Sequence, residues 1–181
     1  DTLLVAARTA GADDDPSGIS LFMVPRDTPG LDIERLWMVD SRNAANIDLS
    51  DVRVPQANLL GEPGGAGAAL ERVLDEARTM LAAEMLGSAE EAFERTLAYL
   101  KLREQFDVVI GSFQALKHRA ALMFTELELA RSAVVAAASA LDDDDNAAAL
   151  ASLAKAQAGK AFELVSSEAI QMHGGIGMTD E

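Results

Sequence analysis

The hydrophobic pattern changes period near residue 60. Before it, short apolar runs at 2–9, 19–24, 31–39 and 46–49 are separated by polar, Pro- and Gly-bearing stretches. This pattern predicts strands joined by turns. The loop over 11–18 is expected to join the first two strands as a loose hairpin. Val52-Arg53-Val54-Pro55 predicts an extended exit, because the residue before Pro avoids helical geometry. Several short strands predict part of a β-barrel or sandwich. Four strands are few for a closed barrel.

From residue 68 the apolar positions recur every three or four residues. Leu70, Val73, Leu74, Ala77, Leu81 and Met85, then Phe93, Leu97 and Leu100, predict one helix over 68–102. Such a helix would be roughly 50 Å long at about 1.5 Å per residue. Gly87 within it predicts a close helix contact or a slight bend. A second helix is expected from Ser112 as N-cap to about Leu141, with Leu116, Met123, Leu127, Ala130 and Val134 on its apolar face. Residues 142–145 form an acidic break, with Asp145 or Asn146 capping a third helix. That helix carries Leu150, Leu153, Ala161, Leu164, Val165 and Ile170, and ends at Gly174-Gly175 as a C-cap would. The predicted fold class is α+β: a short β-strand segment of a barrel or sandwich, then three long Ala-rich helices of an incomplete up-down four-helix bundle. The expected division is 1–60, a Gly-rich linker over 61–67, and a helical domain over 68–181.

Composition narrows the chemistry. The 181 residues include no Cys, which excludes disulfides and thiolate chemistry. The two His residues are far apart in sequence, and 142–145 lacks the Gly and Glu of an EF-hand loop, so no metal site is expected. A net charge of −15 disfavours nucleic acid and anionic membranes. No run of eighteen apolar residues predicts a membrane span. The start lacks Met and a basic signal region, the end follows a glycine cluster, and a fragment of a longer, cytoplasmic protein is expected.

Against that acidity, an anionic ligand requires a local cation. Arg103 stands in the break between the first two helices, followed by Gln105 and Phe106, with Gln114 at the next helix start. A guanidinium, an amide and an aromatic ring at a helix mouth suit a phosphorylated, ring-bearing ligand. Arg103 taken alone reads first as a surface Arg complementing a helix C-terminus. Gln171-Met172-His173-Gly174-Gly175-Ile176-Gly177 reads either as a polar C-cap or as backbone that a ligand approaches closely. His173 and His118 read as packing or capping residues. Asp75 and Arg78 share a helix face as a solvated ion pair or as a polar pair lining a pocket. The glycine run over 61–67 lacks the Lys-Ser/Thr of a phosphate loop and reads as a linker.

In order and spacing, GISLFMVPRDTPGL, VRVPQANLLGEPGGAG, LREQF, GSFQALKH and AIQMHGGIGMTDE resemble the middle and C-terminal portions of the acyl-CoA dehydrogenase family. The resemblance covers essentially the whole chain. It implies the later part of the family's central β domain followed by most of its C-terminal helical domain. It also implies FAD as cofactor and oxidation of an acyl-CoA thioester to the 2-enoyl-CoA, by α-proton abstraction and hydride transfer to flavin. Electron-transfer flavoprotein is the implied electron acceptor, and dimers or tetramers the implied assembly. By the same resemblance Arg103, Gln105, Phe106, Gln114, Gln171, Gly174 and Gly175 would bind FAD, partly across a subunit interface. Asp75 and Arg78 would line the acyl-CoA pocket. The chain departs from the family at Asp107, where Gly commonly follows the Phe. Some members place a catalytic Glu immediately before the Arg that Arg78 matches; here Ala77 stands there. The commoner carboxylate is expected beyond Glu181, so no catalytic residue is assigned and the fragment alone is expected to be inactive. The alternative is a non-catalytic partner subunit of a heteromeric dehydrogenase, supplying FAD-binding and interface residues.

Overall fold

A computed structural model describes residues 1–15, 17–142 and 146–179. The expected cap at Asp145 and most of the acidic break lie outside these residues. The chain divides into two compact units, Asp1–Glu71 and Arg72–Glu181.

In the first unit β1 (Thr2–Arg8) and β2 (Ile19–Pro25) pair antiparallel over their full length, and β5 (Leu59–Leu60) extends the sheet on the far edge of β2. A separate antiparallel ribbon is formed by β3 (Leu31–Trp37) and β4 (Asn43–Leu49). The fourth strand begins three residues earlier than its apolar run suggests. Full pairing with β3, from Leu31↔Leu49 to Trp37↔Asn43, carries polar Asn43 into the ladder. Nor is the 11–18 connection loose. The Arg8 guanidinium donates to the carbonyls of Ala10, Asp13, Asp15 and Ser17 at 2.8–3.3 Å. Asp15 accepts from both the amide and the hydroxyl of Ser17, which holds its carboxyl below the usual carboxylate range. Residues 61–67 are tied back to β2. The buried Ser20 hydroxyl accepts from the Gly64 amide at 2.7 Å, and the Ala66 amide donates to the Ile19 carbonyl at 2.9 Å.

The second unit is helical. It contains nearly all of α1 (Gly67–Leu102), with α2 (Gln114–Ala140) and α3 (Ala147–His173). Arg119 near the start of α2 pairs with Glu168 near the end of α3, and Glu126 pairs with Lys160, so the two helices run antiparallel. Between them, small buried residues meet: Ala130, Ala137 and Ala140 on α2, and Ala151, Ala154, Ala158 and Ala161 on α3. Glu90 on α1 pairs with Arg131 on α2, and the Phe93 and Phe124 rings lie 6.4 Å apart. These contacts make α1 antiparallel to α2 as well. Met123, Leu127 and Val165 fill the centre with Leu86, Phe93 and Leu100.

The buried face of α1 departs from the predicted stripe. Asp75, Thr79, Ala82, Leu86, Ala89, Phe93, Thr96 and Leu100 are buried, whereas Val73, Leu74, Ala77 and Leu81 are exposed. The helix carries two stripes, and polar residues occupy the buried one over its first turns. Thr79 and Thr96 satisfy their hydroxyls on the carbonyls four residues back, at 2.9 and 2.7 Å. Leu153 and Ile170 on α3 are likewise exposed rather than buried. Gly87 makes no close helix contact: a Cβ there would meet no atom within 4 Å.

Glu126 supplies a pH test. Hydrogen bonds from Lys160 and Gln157, at 2.9 and 2.8 Å, hold its carboxyl below the ordinary glutamate value. Its contribution is therefore fully present above the unfolded value, about 4.3, and is lost as pH falls through the lower folded value. Wild type should exceed Glu126→Gln in unfolding free energy by no more than about 1 kcal/mol at pH 6. The gap should close below pH 4 in urea titrations, and a gap independent of pH would contradict the assignment.

Candidate functional site

The break between α1 and α2 is folded. Glu104–Gln105 (β6) and Val108–Val109 (β7) pair antiparallel, and Phe106 and Asp107 form the two-residue turn with φ of 57° and 61°. Left-handed values at both turn positions are those of a type I′ hairpin. Gly adopts this backbone without strain, and Asp tolerates it better than most residues. The departure from Gly at 107 is thus first a matter of backbone conformation. A 3-10 turn over Ile110–Ser112 then leads into α2. Ser112 is not the N-cap. It closes that turn, and extended Phe113 occupies the cap position with no side-chain cap hydrogen bond. Its amide is spent on the Ile110 carbonyl at 3.1 Å. Gly111 is a point of close approach, since a Cβ there would stand 2.7 Å from the Leu100 carbonyl oxygen.

Arg103 follows α1 directly. Its amide donates to the Tyr99 carbonyl and its carbonyl accepts from the Ile110 amide, both at 2.8 Å, so its backbone is held from both sides. Its guanidinium is exposed and meets no hydrogen-bonding or ionic partner among the described residues. Phe106 is 85% exposed, its ring edge-on to Phe113 at 6.2 Å. Gln105 donates its amide to the Glu104 carbonyl at 2.8 Å. Gln114 is exposed in the first turn of α2.

The other half lies at the end of α3. Gly174 caps the helix at φ 63° and ψ −134°, a conformation that favours Gly, and its amide returns to the Gln171 carbonyl. Gln171, Gly174 and Gly175 are exposed, and a Cβ at either glycine would meet no atom within 4 Å. His173 packs as expected. Its ring stacks on Tyr99 at 4.4 Å between centroids, and the Tyr99 hydroxyl reaches the His173 carbonyl at 3.4 Å. Tyr99 is one turn before Arg103, and His173 directly precedes Gly174. The two halves are thus brought to one end of the bundle, each within about one 5.4 Å helical turn of a shared stack.

Tyr99 and the Arg119–Glu168 pair are absent from the sequence reading. The Tyr99-to-Arg103 spacing of four, one helical turn, is the signal that could have marked the first. The chemistry of the assembled groups is that of an anion and ring site. It has a guanidinium with five donors, three carboxamides, an exposed phenyl ring and open glycine backbone. These residues fit a dinucleotide carrying a pyrophosphate. Glu104 and Asp107 are the nearby opposing charges.

Asp75 and Arg78 are not brought to this end. They precede Arg103 by roughly 40 Å along α1, at about 1.5 Å per residue. Their ion pair measures 2.5 Å, with the Asp75 side chain 13% exposed and that of Arg78 38% exposed, so the pair is partly buried. Among the described residues, no three His, Cys, Asp or Glu could hold a metal ion, and no helix is long and apolar enough to cross a membrane.

The family profile for the acyl-CoA dehydrogenase C-terminal domain matches residues 64–181. YngJ of Bacillus subtilis, named a probable acyl-CoA dehydrogenase, is 40% identical over 99% of this chain and 48% of its own length. Butyryl-CoA dehydrogenase from Megasphaera elsdenii superposes with a TM-score of 0.87 at 30% identity, over 99% of this chain and 47% of that one. PigA in complex with FAD and proline superposes at 0.91 with 28% identity, over 99% of this chain and 47% of that one. The chain spans about half the length of the relatives it matches.

Proposed function

Since the chain belongs to the acyl-CoA dehydrogenase family, we propose that it forms part of an FAD-dependent enzyme that oxidises an acyl-CoA thioester to the 2-enoyl-CoA. The observation that carries the reading is the exposed Arg103 guanidinium, without a partner among the described residues, at the same end of the bundle as the open Gly174-Gly175 backbone. Arg103 would neutralise the pyrophosphate. Phe106, Gln105 and Gln114 would hold the adenine side, and Gln171 with Gly174 and Gly175 would close over the same dinucleotide. Bound FAD supplies the hydride acceptor.

The distance along α1 bears on assembly. FAD-binding groups at one end and Asp75–Arg78 near the other fit two different reaction centres, with the clamp serving a neighbouring subunit in a dimer or tetramer. At its own centre, Arg78 would be oriented by Asp75 and would line the acyl-CoA pocket. We assign the α-proton to a carboxylate outside the described residues, and the electrons onward to electron-transfer flavoprotein. Residues 1–60 would belong to the central β domain and 68–181 to the helical domain, joined by 61–67.

Expression of the full-length protein tests this. Flavin absorbance should co-purify, and an acyl-CoA should be converted to its enoyl product with an artificial electron acceptor. A protein without flavin refutes the reading. The second reading is a non-catalytic subunit that supplies FAD-binding and interface residues to a partner. Flavin retention without turnover of any acyl-CoA tested, restored by a co-expressed partner, would select it.

A further inference from the structure

We propose that the Tyr99–His173 stack is a positioning device that sets the separation of the two halves of the dinucleotide clamp before ligand arrives. The proposal rests on the FAD reading above. Three bonds converge on Tyr99. Its carbonyl accepts from the Arg103 amide at 2.8 Å, its ring stacks on His173 at 4.4 Å with 27° between planes, and its hydroxyl donates to the His173 carbonyl at 3.4 Å. One residue therefore holds the Arg103 amide through its backbone carbonyl and meets, through its side chain, the residue that introduces Gly174.

The imidazole is itself fixed. His173 Nδ1 lies 2.7 Å from the Ala169 carbonyl, and a carbonyl only accepts, so this nitrogen carries the proton. That bond sets the ring against Tyr99 from within α3. The following turn folds back on the same residue: a Cβ on Gly177 would stand 2.6 Å from the Ile170 carbonyl oxygen and 3.1 Å from the His173 Cβ. All of these contacts are made between residues of the chain itself. A clamp whose halves are already spaced loses less freedom on binding than one that must order itself, and this difference appears as affinity.

The test uses the full-length apoprotein, titrated with FAD and followed by flavin fluorescence. Unfolding of each apoprotein is measured separately. Tyr99→Leu is expected to raise the FAD dissociation constant on the order of fivefold, whereas Tyr99→Phe, which keeps the ring, should stay within about twofold of wild type. His173→Leu should match Tyr99→Leu, and the double variant should be no weaker than either single one, because both remove the same contact. If Tyr99→Leu fails to fold, His173→Leu supplies the same measurement. Lower apoprotein stability with unchanged FAD affinity would overturn the proposal, and so would losses that add in the double variant. Affinity that responds to Arg103→Ala but not to the stack removes the positioning role and leaves the cofactor reading standing. Absence of FAD binding in wild type removes both.

Discussion

Replacing Arg103 with Ala in the full-length protein should release FAD, raising its dissociation constant by about 10- to 100-fold. The estimate follows from hydrogen bonds to charged groups, worth roughly 1.5–3 kcal/mol. Fold stability should change little, because the guanidinium is exposed and meets no partner among the described residues. The backbone bonds to the Tyr99 carbonyl and from the Ile110 amide survive the substitution. Arg103→Lys should recover only part of the loss, since an ammonium keeps the charge but not the planar fork that engages two phosphate oxygens. The net charge of −15 sharpens the expectation. Binding held by a charge in an acidic chain should weaken with added salt. Flavin-to-protein absorbance ratios and titration of the apoprotein measure this. Wild-type occupancy in the Ala variant would remove Arg103 from the site.

Met123→Ala should be the most damaging single truncation for stability, by about 2–5 kcal/mol. The Met123 side chain is fully buried in α2, in one cluster with Phe93 of α1 and Val165 of α3, so all three helices contribute to its surroundings. Rigid helices around a deleted thioether relax only partly, and the unfilled space adds to the lost transfer energy. Urea unfolding of the apoprotein reads the difference. A loss below 1 kcal/mol would mean that the core collapses around the gap.

The helices were legible because an Ala-rich chain with a 3.6-residue period leaves few alternatives. The predicted limits at 68 and 102 lie within a residue of those of α1. Which face of α1 is buried was not legible. A periodicity argument counts apolar residues, and the buried stripe opens with Asp75 and Thr79, whose polar atoms are satisfied locally. The hairpin after Arg103 was hidden for a related reason. Its turn is Phe106-Asp107 rather than a glycine pair, so the usual signal for left-handed turn residues is missing. The Arg103–Phe106 cluster and the Gly174 cap could be read locally. Tyr99 could not, because its partner is 74 residues away and only the packed bundle brings the rings together. Arg8 was passed over in the same way: a guanidinium that gathers four carbonyls looks, in sequence, like any strand-end charge.

The alanine seam between α2 and α3 constrains how the chain can drift over generations. Ala130, Ala137, Ala154, Ala158 and Ala161 are at most 1% exposed, so a larger side chain there would have to displace packed neighbours, and glycine would weaken the helix relative to alanine. Substitutions are therefore channelled to the outer faces, which can diverge freely while the axes keep their spacing. Over 99% of its length the chain keeps a TM-score of 0.91 to a protein with which it shares 28% identity.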